Sequence, residues 1–354
     1  MNSFLNRAME QGLLPDSLIR VGIRRLCRDR LREITEPELD QRLKRRRDYL
    51  AMLRSAPLAV ATREANEQHY EVPAAFFDLV LGKNKKYSSA HFSSQNLTLD
   101  QAEDEALETT MTRAGLKDGQ KILELGCGWG SLTLAMGRKF RKSQIVALSN
   151  SRSQREWIEA RAKTEGLGNI TVLTRNIVEV TDLGREFGEF DRVVSVEMFE
   201  HLRNYELLFS RISQWLKPEG ELFVHIFTHR DASYLFETEG EDNWMGRYFF
   251  TGGQMPAQDL FLDFQKDLEL TDQWAWSGTH YGETSERWLQ NLDRNRDRVL
   301  EIFKTTYGAD QSTLWLNRWR VFFMACAELF NFDHGREWGV THYRFKNRKK
   351  GIPS

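Results

Sequence analysis

The stretch Lys121-Ile-Leu-Glu-Leu-Gly-Cys-Gly-Trp-Gly130 constrains this chain more than any other. Ile122, Leu123 and Leu125 form a short apolar run suited to a buried strand, and Gly126, Gly128 and Gly130 follow at once. Helical spacing resumes at Leu132, Leu134 and Ala135. Strand, glycine turn and helix in that order are what a nucleotide-type ligand requires. Glycines permit a tight turn and a close backbone approach, and the helix start presents free N–H groups. The spacing is G-x-G-x-G, not the G-x-G-x-x-G of dinucleotide sites, and Glu124 lies inside the strand. Taken alone, the pattern equally describes a plain tight turn.

The flanking sequence decides for a ligand-binding sheet. Apolar runs recur at Gln144–Leu148, Asn169–Leu173, Phe190–Val196 and Gly220–Ile226, with helical patterns between them. Such alternation predicts an α/β fold built on a doubly wound parallel sheet. Ligands of these sheets lie beyond the carboxyl ends of the strands. Gly126–Gly130, Ser149–Gln154, Arg175–Ile177, Glu197–His201 and His225–His229 are therefore expected on one rim. Leu268–Trp276 and Glu337–Lys346 read as further strands, with helices from Ser285 to Phe330.

The totals narrow the function. A formal charge of −1 gives no case for nucleic-acid binding. Cys27, Cys127 and Cys326 are too scattered for a disulfide framework or a metal cluster, which suits a reducing compartment. No apolar run approaches the roughly 20 residues of a membrane span, and the N-terminus lacks a signal-peptide core. A cytoplasmic protein is expected. From about Leu14 to Pro57 the pattern is that of amphipathic helix, broken near Glu33–Glu38 and rich in arginine. A basic helix of this kind can lie on an anionic membrane. The interspersed Glu and Asp residues favour a solvated face instead.

At this point the motifs become recognisable together. Glu124–Gly130 resembles the first motif of class I S-adenosylmethionine-dependent methyltransferases. His69-Tyr70, Tyr87-Ser88 and Ser195-Val-Glu-Met-Phe-Glu-His201 narrow the likeness to the cyclopropane fatty-acid synthase superfamily. Glu67–Pro73, Arg247-Tyr-Phe-Phe-Thr-Gly-Gly253 and Gly278-Thr-His-Tyr281 make the chain most similar to its coclaurine N-methyltransferase branch. The resemblance implies a Rossmann-like, mostly parallel seven-stranded sheet. It implies a helical N-terminal region over 1–118 and a methyltransferase domain over 119–354. A helical and aromatic lid over the substrate is expected at about 230–265 and 280–335.

It also implies a site. Tyr87 and Ser88 reach the methionine carboxylate of the methyl donor, and Gly126, Gly128 and Gly130 pass beneath it. Glu124, Asn150 and Gln154 are cofactor candidates, the last two positioned for the ribose; Asn176 and Ile177 resemble the adenine-binding pair, with Asn176 where the family commonly has an acid. Each of these polar groups has a local alternative, in which it satisfies its own loop backbone. Glu200 and His201 resemble the pair that holds an amine and helps remove its proton. Glu71 and Glu197 would add negative charge for a cationic substrate, although Glu71 also reads as a helix-start charge. No metal is implied.

Two acceptors compete. An aromatic amine suits Trp244, Tyr248, Phe249, Phe250, Phe261 and Trp276, since aromatic faces attract cations. A lipid alkene suits the likeness of Glu200, His225 and Tyr281 to groups that hold a bicarbonate base in cyclopropane synthases. In those enzymes a cysteine follows Tyr-Ser, where this chain has Ser89. Only the lipid reading calls for membrane contact and bicarbonate. A third reading is a non-catalytic S-adenosylmethionine-binding scaffold, and a homodimer stays open.

Overall fold

The computed structural model describes residues 3–60, 72–240 and 242–348. The strands of the glycine-turn region are β1 (Lys121–Leu125), β2 (Gln144–Ser149), β3 (Ile170–Thr174), β4 (Phe190–Val196) and β5 (Leu216–His229). A short ribbon of β6 (Tyr234–Leu235) and β7 (Gln254–Met255) follows, then β8 (Leu268–Trp276) and β9 (Trp338–Asn347). The main sheet has seven strands in the order β3-β2-β1-β4-β5-β9-β8. The first five are parallel, and β9 runs antiparallel between β5 and β8. Strands β1, β4 and β5 are apolar runs because helices cover both of their faces. β8, with one neighbour, alternates buried and more exposed positions instead.

Helices α1 (Ser3–Glu10), α2 (Asp16–Ile34), α3 (Leu39–Ser55), α4 (Ala74–Val80) and α5 (Leu99–Arg113) precede the sheet. Thr98 caps α5 reciprocally with Gln101, which fixes where the helix starts. Between strands lie α6 (Ser131–Lys139), α7 (Arg152–Thr164), α8 (Leu183–Phe187) and α9 (Tyr205–Trp215). After β6 comes α10 (Trp244–Tyr248). The helical stretch before β9 is three helices: α11 (Gly278–Arg294), α12 (Arg296–Tyr307) and α13 (Ala309–Asn331). Gly308, at φ 87°, makes the last of these breaks.

The arginines of α2 and α3 differ from the expected solvated face. Arg20 pairs with Glu286 of α11 and Glu328 of α13, and Arg24 also reaches Glu328. Arg46 of α3 holds both Asp259 and Asp263. These arginines clamp the first helices to the rest of the fold, while Arg25, Arg32 and Lys44 keep local pairs on the surface. Among the described residues no helix is long and apolar enough to cross a membrane.

An aromatic core joins α4, α10 and α13. The ring of Trp319 is fully buried, with Phe76 at 4.8 Å and Phe249 at 5.2 Å between centroids. Such rings carry large apolar areas that a smaller side chain leaves as a cavity. Trp319→Ala is therefore expected to cost ~3–5 kcal/mol of stability, measurable as a lowered denaturation midpoint.

Candidate active site

The site begins where β1 ends. Gly126, Gly128 and Gly130 have φ of 78°, 51° and 78°, the left-handed region that glycine alone enters freely. A Cβ at Gly126 would lie 2.7 Å from Met198, and one at Gly130 would lie 2.5 Å from Ile158. At Gly128 a Cβ would meet nothing within 4 Å. The outer two glycines are thus required by close packing, while the middle one borders an open cleft. Beneath them Glu124 is buried on β1 and accepts a hydrogen bond from Thr133. Burial pushes its carboxyl up to about 8. Gln154, in the first turn of α7, accepts from the Ser149 hydroxyl at 2.7 Å and borders the same cleft.

The segment before α5 supplies a second wall. Its Gly82 and Asn84 N–H groups donate to the buried Glu103 carboxylate, which anchors the loop to α5. Lys86 follows, fully enclosed, with Nζ donating to Ser88 Oγ at 2.5 Å and to the Ser89 carbonyl at 2.6 Å. Burial pulls its ammonium down to about 8, against the opposing pull of Glu197 and Glu103. Tyr87 packs between Phe77, Trp288 and Trp319.

The third wall follows β4. Glu197 sits at φ 48°, a strained position for a residue with a side chain. Its carboxylate accepts from Ser89 N–H at 3.0 Å, His225 Nε2 at 3.2 Å and Tyr281 OH at 2.6 Å. Two residues on, the 3-10 turn Phe199–His201 buries Phe199 beside Tyr205 and Phe261. That anchoring carries Glu200 and His201 to the cleft, where the His201 ring lies parallel to Phe250. Glu200 Oε2 is buried with no hydrogen-bond partner among the described residues. Burial, and then the neighbouring charge of Glu197, push the Glu200 carboxyl well above the ordinary range. Burial raises Glu197 as well, but Lys86 and its donors oppose the rise. Of the two, Glu200 is therefore the carboxyl that takes up a proton more readily.

These walls line an open cleft. A second, larger cavity meets it at Phe227, Phe250, Tyr281 and Cys326, which line both. Ile23, Leu26 and Cys27 of α2 and Trp244 of α10 close the second cavity on its outer side. Among the described residues no three His, Cys, Asp or Glu side chains are placed to hold a metal ion.

Tyr87, Ser88, Glu124, Gly126, Gly128, Gln154, Glu197, Glu200, His201 and Tyr281 thus meet at one cleft. Gly130 stands just behind it, at the start of α6. Asn150, Asn176 and Ile177 follow β2 and β3 outside the cleft wall, and Asn176 accepts from the Val178 N–H of its own loop. Glu71, with His69-Tyr70, lies outside the described residues.

Five side chains stand elsewhere than expected. His225 is fully buried within the sheet and reaches the cleft only through Glu197. Trp276 ends the edge strand β8, and its ring lies on His342 at 4.4 Å. Phe249 stacks on Phe322 at 4.2 Å inside the core, so that its neighbour Phe250 faces the cavities. Phe261 packs in the core beside Tyr343, and Tyr248 under Arg318. Sequence reasoning missed Lys86, Trp129 and Phe322 as wall residues. Asn84-Lys85-Lys86 reads as a surface turn, and Phe322 sits in an apolar helix where no periodicity marks one face as special.

The buried Glu124 carries a measurable sign. A carboxyl raised in the folded state has its stabilising share at low pH, and loses it as pH climbs from about 4.5 toward about 8. Glu124→Gln should therefore melt higher than the parent chain at pH 8–9 in ligand-free protein, with the gap closing near pH 4.5; a constant gap across pH would count against this burial.

Comparison with known proteins agrees with this geometry. Residues 59–336 match the mycolic acid cyclopropane synthetase family. The chain is 36% identical to (S)-coclaurine N-methyltransferase of Papaver somniferum, over 97% of this chain and 98% of that one. It is 35% identical to the enzyme of the same name from Thalictrum flavum subsp. glaucum, over 97% of this chain and 95% of that one. A crystal structure of coclaurine N-methyltransferase bound to N-methylheliamine and SAH superposes with a TM-score of 0.93 at 33% identity, covering 97% of this chain and 99% of that chain. The chain belongs to the mycolic acid cyclopropane synthetase family of S-adenosylmethionine-dependent methyltransferases, in its coclaurine N-methyltransferase branch.

Proposed function

We propose that this enzyme methylates the nitrogen of a small aromatic amine of the tetrahydroisoquinoline kind, in the cytoplasm, with S-adenosylmethionine as the donor. The residues around the glycine turn fit the donor. Gly128 leaves room for close backbone approach, and Glu124 and Gln154 offer polar groups for the ribose. Ser88, with the Lys86 ammonium on its hydroxyl, suits a carboxylate. When bound, the sulfonium supplies an activated methyl group. Asn150, Asn176 and Ile177 remain proposed contacts on the outer rim.

The observation that carries the amine reading is the contrast between two neighbouring carboxyls. Glu197 accepts from three donors, whereas Glu200 Oε2 has none among the described residues. Glu197 therefore serves as a fixed negative charge that attracts a cationic amine into the cleft. Glu200 and His201 face that amine, orient its nitrogen and take up its proton to free the lone pair; the N–C bond then forms as the S–C bond breaks and S-adenosylhomocysteine leaves. A carboxyl held above its ordinary pKa is the better base for this step. Phe250, Phe322 and the larger cavity beyond them receive the aromatic body.

The same contrast disfavours the lipid alternative. His225 and Tyr281, two of the groups implied to hold bicarbonate in that chemistry, are already spent on the chain's own Glu197. Ser89 turns its hydroxyl to the Ala90 carbonyl. Negative charge is built in, so an added anion is not required.

The test is mass spectrometry of products from a panel of secondary amines and unsaturated phospholipids, with a labelled methyl donor. Label should enter the amines, and Glu200→Gln should lower kcat by about a hundredfold or more, the range for a lost general base. Label entering phospholipid and none of the amines would overturn the assignment.

A further inference from the structure

Behind Glu197 a chain of hydrogen bonds runs along one face of the sheet to the end of α5. His225 on β5 and His342 on β9 are directly opposed in the antiparallel register. His225 Nδ1 lies 2.9 Å from His342 Nε2, and His342 Nδ1 lies 2.9 Å from an Nη of Arg113, the last residue of α5. His225 Nε2 completes the line at Glu197, 3.2 Å away. The two imidazoles are buried, and Trp276 packs against both.

An imidazole nitrogen is a donor or an acceptor according to its tautomer, and a buried carboxyl accepts when ionised but donates when protonated, so distances alone leave two directions for such a line. Arg113 removes the choice. A guanidinium donates and never accepts, so His342 Nδ1 must be the acceptor. Its proton then sits on Nε2 and is donated to His225 Nδ1. His225 in turn carries its proton on Nε2, facing Glu197. Were the direction reversed, two N–H groups or two lone pairs would meet at one of the contacts. Arg113 is itself held over Trp274 and Trp276, with its guanidinium 5.3 and 5.6 Å from the two rings.

We infer that Arg113 and His342 are positioning residues of the methyl transfer: they dictate the tautomer of His225 and thereby keep a donor, rather than a lone pair, on the Glu197 carboxylate. Neither residue touches the cleft. Both act on the reaction through Glu197 alone, and this consequence rests on the proposed role of that carboxylate in drawing in the amine. Loss of the direction lets a protonated Glu197 donate to a His225 Nε2 lone pair, with the His225 proton moved to Nδ1, and this removes the negative charge that draws in the amine.

Nitrogen-15 NMR of the imidazoles, with His225 assigned from a His225→Gln variant, reads the tautomer directly and needs no substrate. In the parent chain His225 should carry its proton on Nε2 and leave Nδ1 bare. Arg113→Met should convert His225 to a mixture of tautomers, and Arg113→Lys, which keeps a donor-only cation, should restore the parent signature. His342→Gln, which can still accept and donate, provides a second variant if Arg113→Met folds poorly; its His225 should keep the Nε2 proton. A parent His225 protonated on Nδ1, or an unaltered His225 in Arg113→Met, would overturn the inference. With an amine substrate, Arg113→Met should lower kcat/KM by about tenfold through KM, the loss expected for one hydrogen bond to a charged group, with recovery in Arg113→Lys. Should the tautomers shift as stated while no amine is methylated by any form, the amine reading fails and the relay stands.

Discussion

A single carboxylate ties this site together. Glu197 receives its three hydrogen bonds from the loop before α5, from β5 and from α11, which are far apart in sequence. Taking an ionised carboxylate out of water costs several kcal/mol, and its left-handed backbone adds about 1–3 kcal/mol. The structure tolerates both because each donor comes from an element with its own reasons to be there. Ser89 is placed by a loop anchored on Glu103, His225 by its strand, and Tyr281 by stacking on Phe330. The same convergence leaves Glu200 next to a buried negative charge. That proximity separates the behaviour of two carboxyls only three residues apart.

The second constraint is that the cleft opens inward, into a cavity with a wall from the first helices. Arg20, Arg24 and Arg46 hold α2 and α3 against carboxylates of later segments. Partly exposed pairs of this kind are individually weak, but Arg20 and Arg46 each engage two carboxylates and so fix position. With α2 docked, Ile23, Leu26 and Cys27 face the cavity instead of water. An N-terminal region whose charge pattern suggests a solvated face becomes part of the chamber in which an acceptor would sit.

Much of this was legible beforehand. The apolar runs at β1, β2, β3, β4, β8 and β9 marked the sheet, because burial on both faces or one face imposes a local pattern on the residues themselves. The glycine turn was legible for a similar reason: left-handed φ at Gly126, Gly128 and Gly130 is a local demand that residue type must meet. Motif resemblance then brought Glu197, Glu200 and His201 to the same rim. The aromatic residues were harder. Phe249 and Phe250 are neighbours of identical chemistry, and only the direction of α10 against Phe322 decides which one enters the core.

Residue identity and order therefore determined the sheet, the glycine turn, the methyltransferase family and the acid–histidine pair that follows β4. The tertiary structure alone decided which polar groups share a proton or a hydrogen bond. His342 reads as an unremarkable strand residue until the β5–β9 register sets it opposite His225. Lys86 reads as a surface lysine until the loop buries it beside Ser88. The physical reason is common to both. Periodicity and turn chemistry are local, whereas desolvation and hydrogen-bond direction depend on partners supplied by distant parts of the chain. The glycine turn is of the first kind, and the environment of Glu197 is of the second.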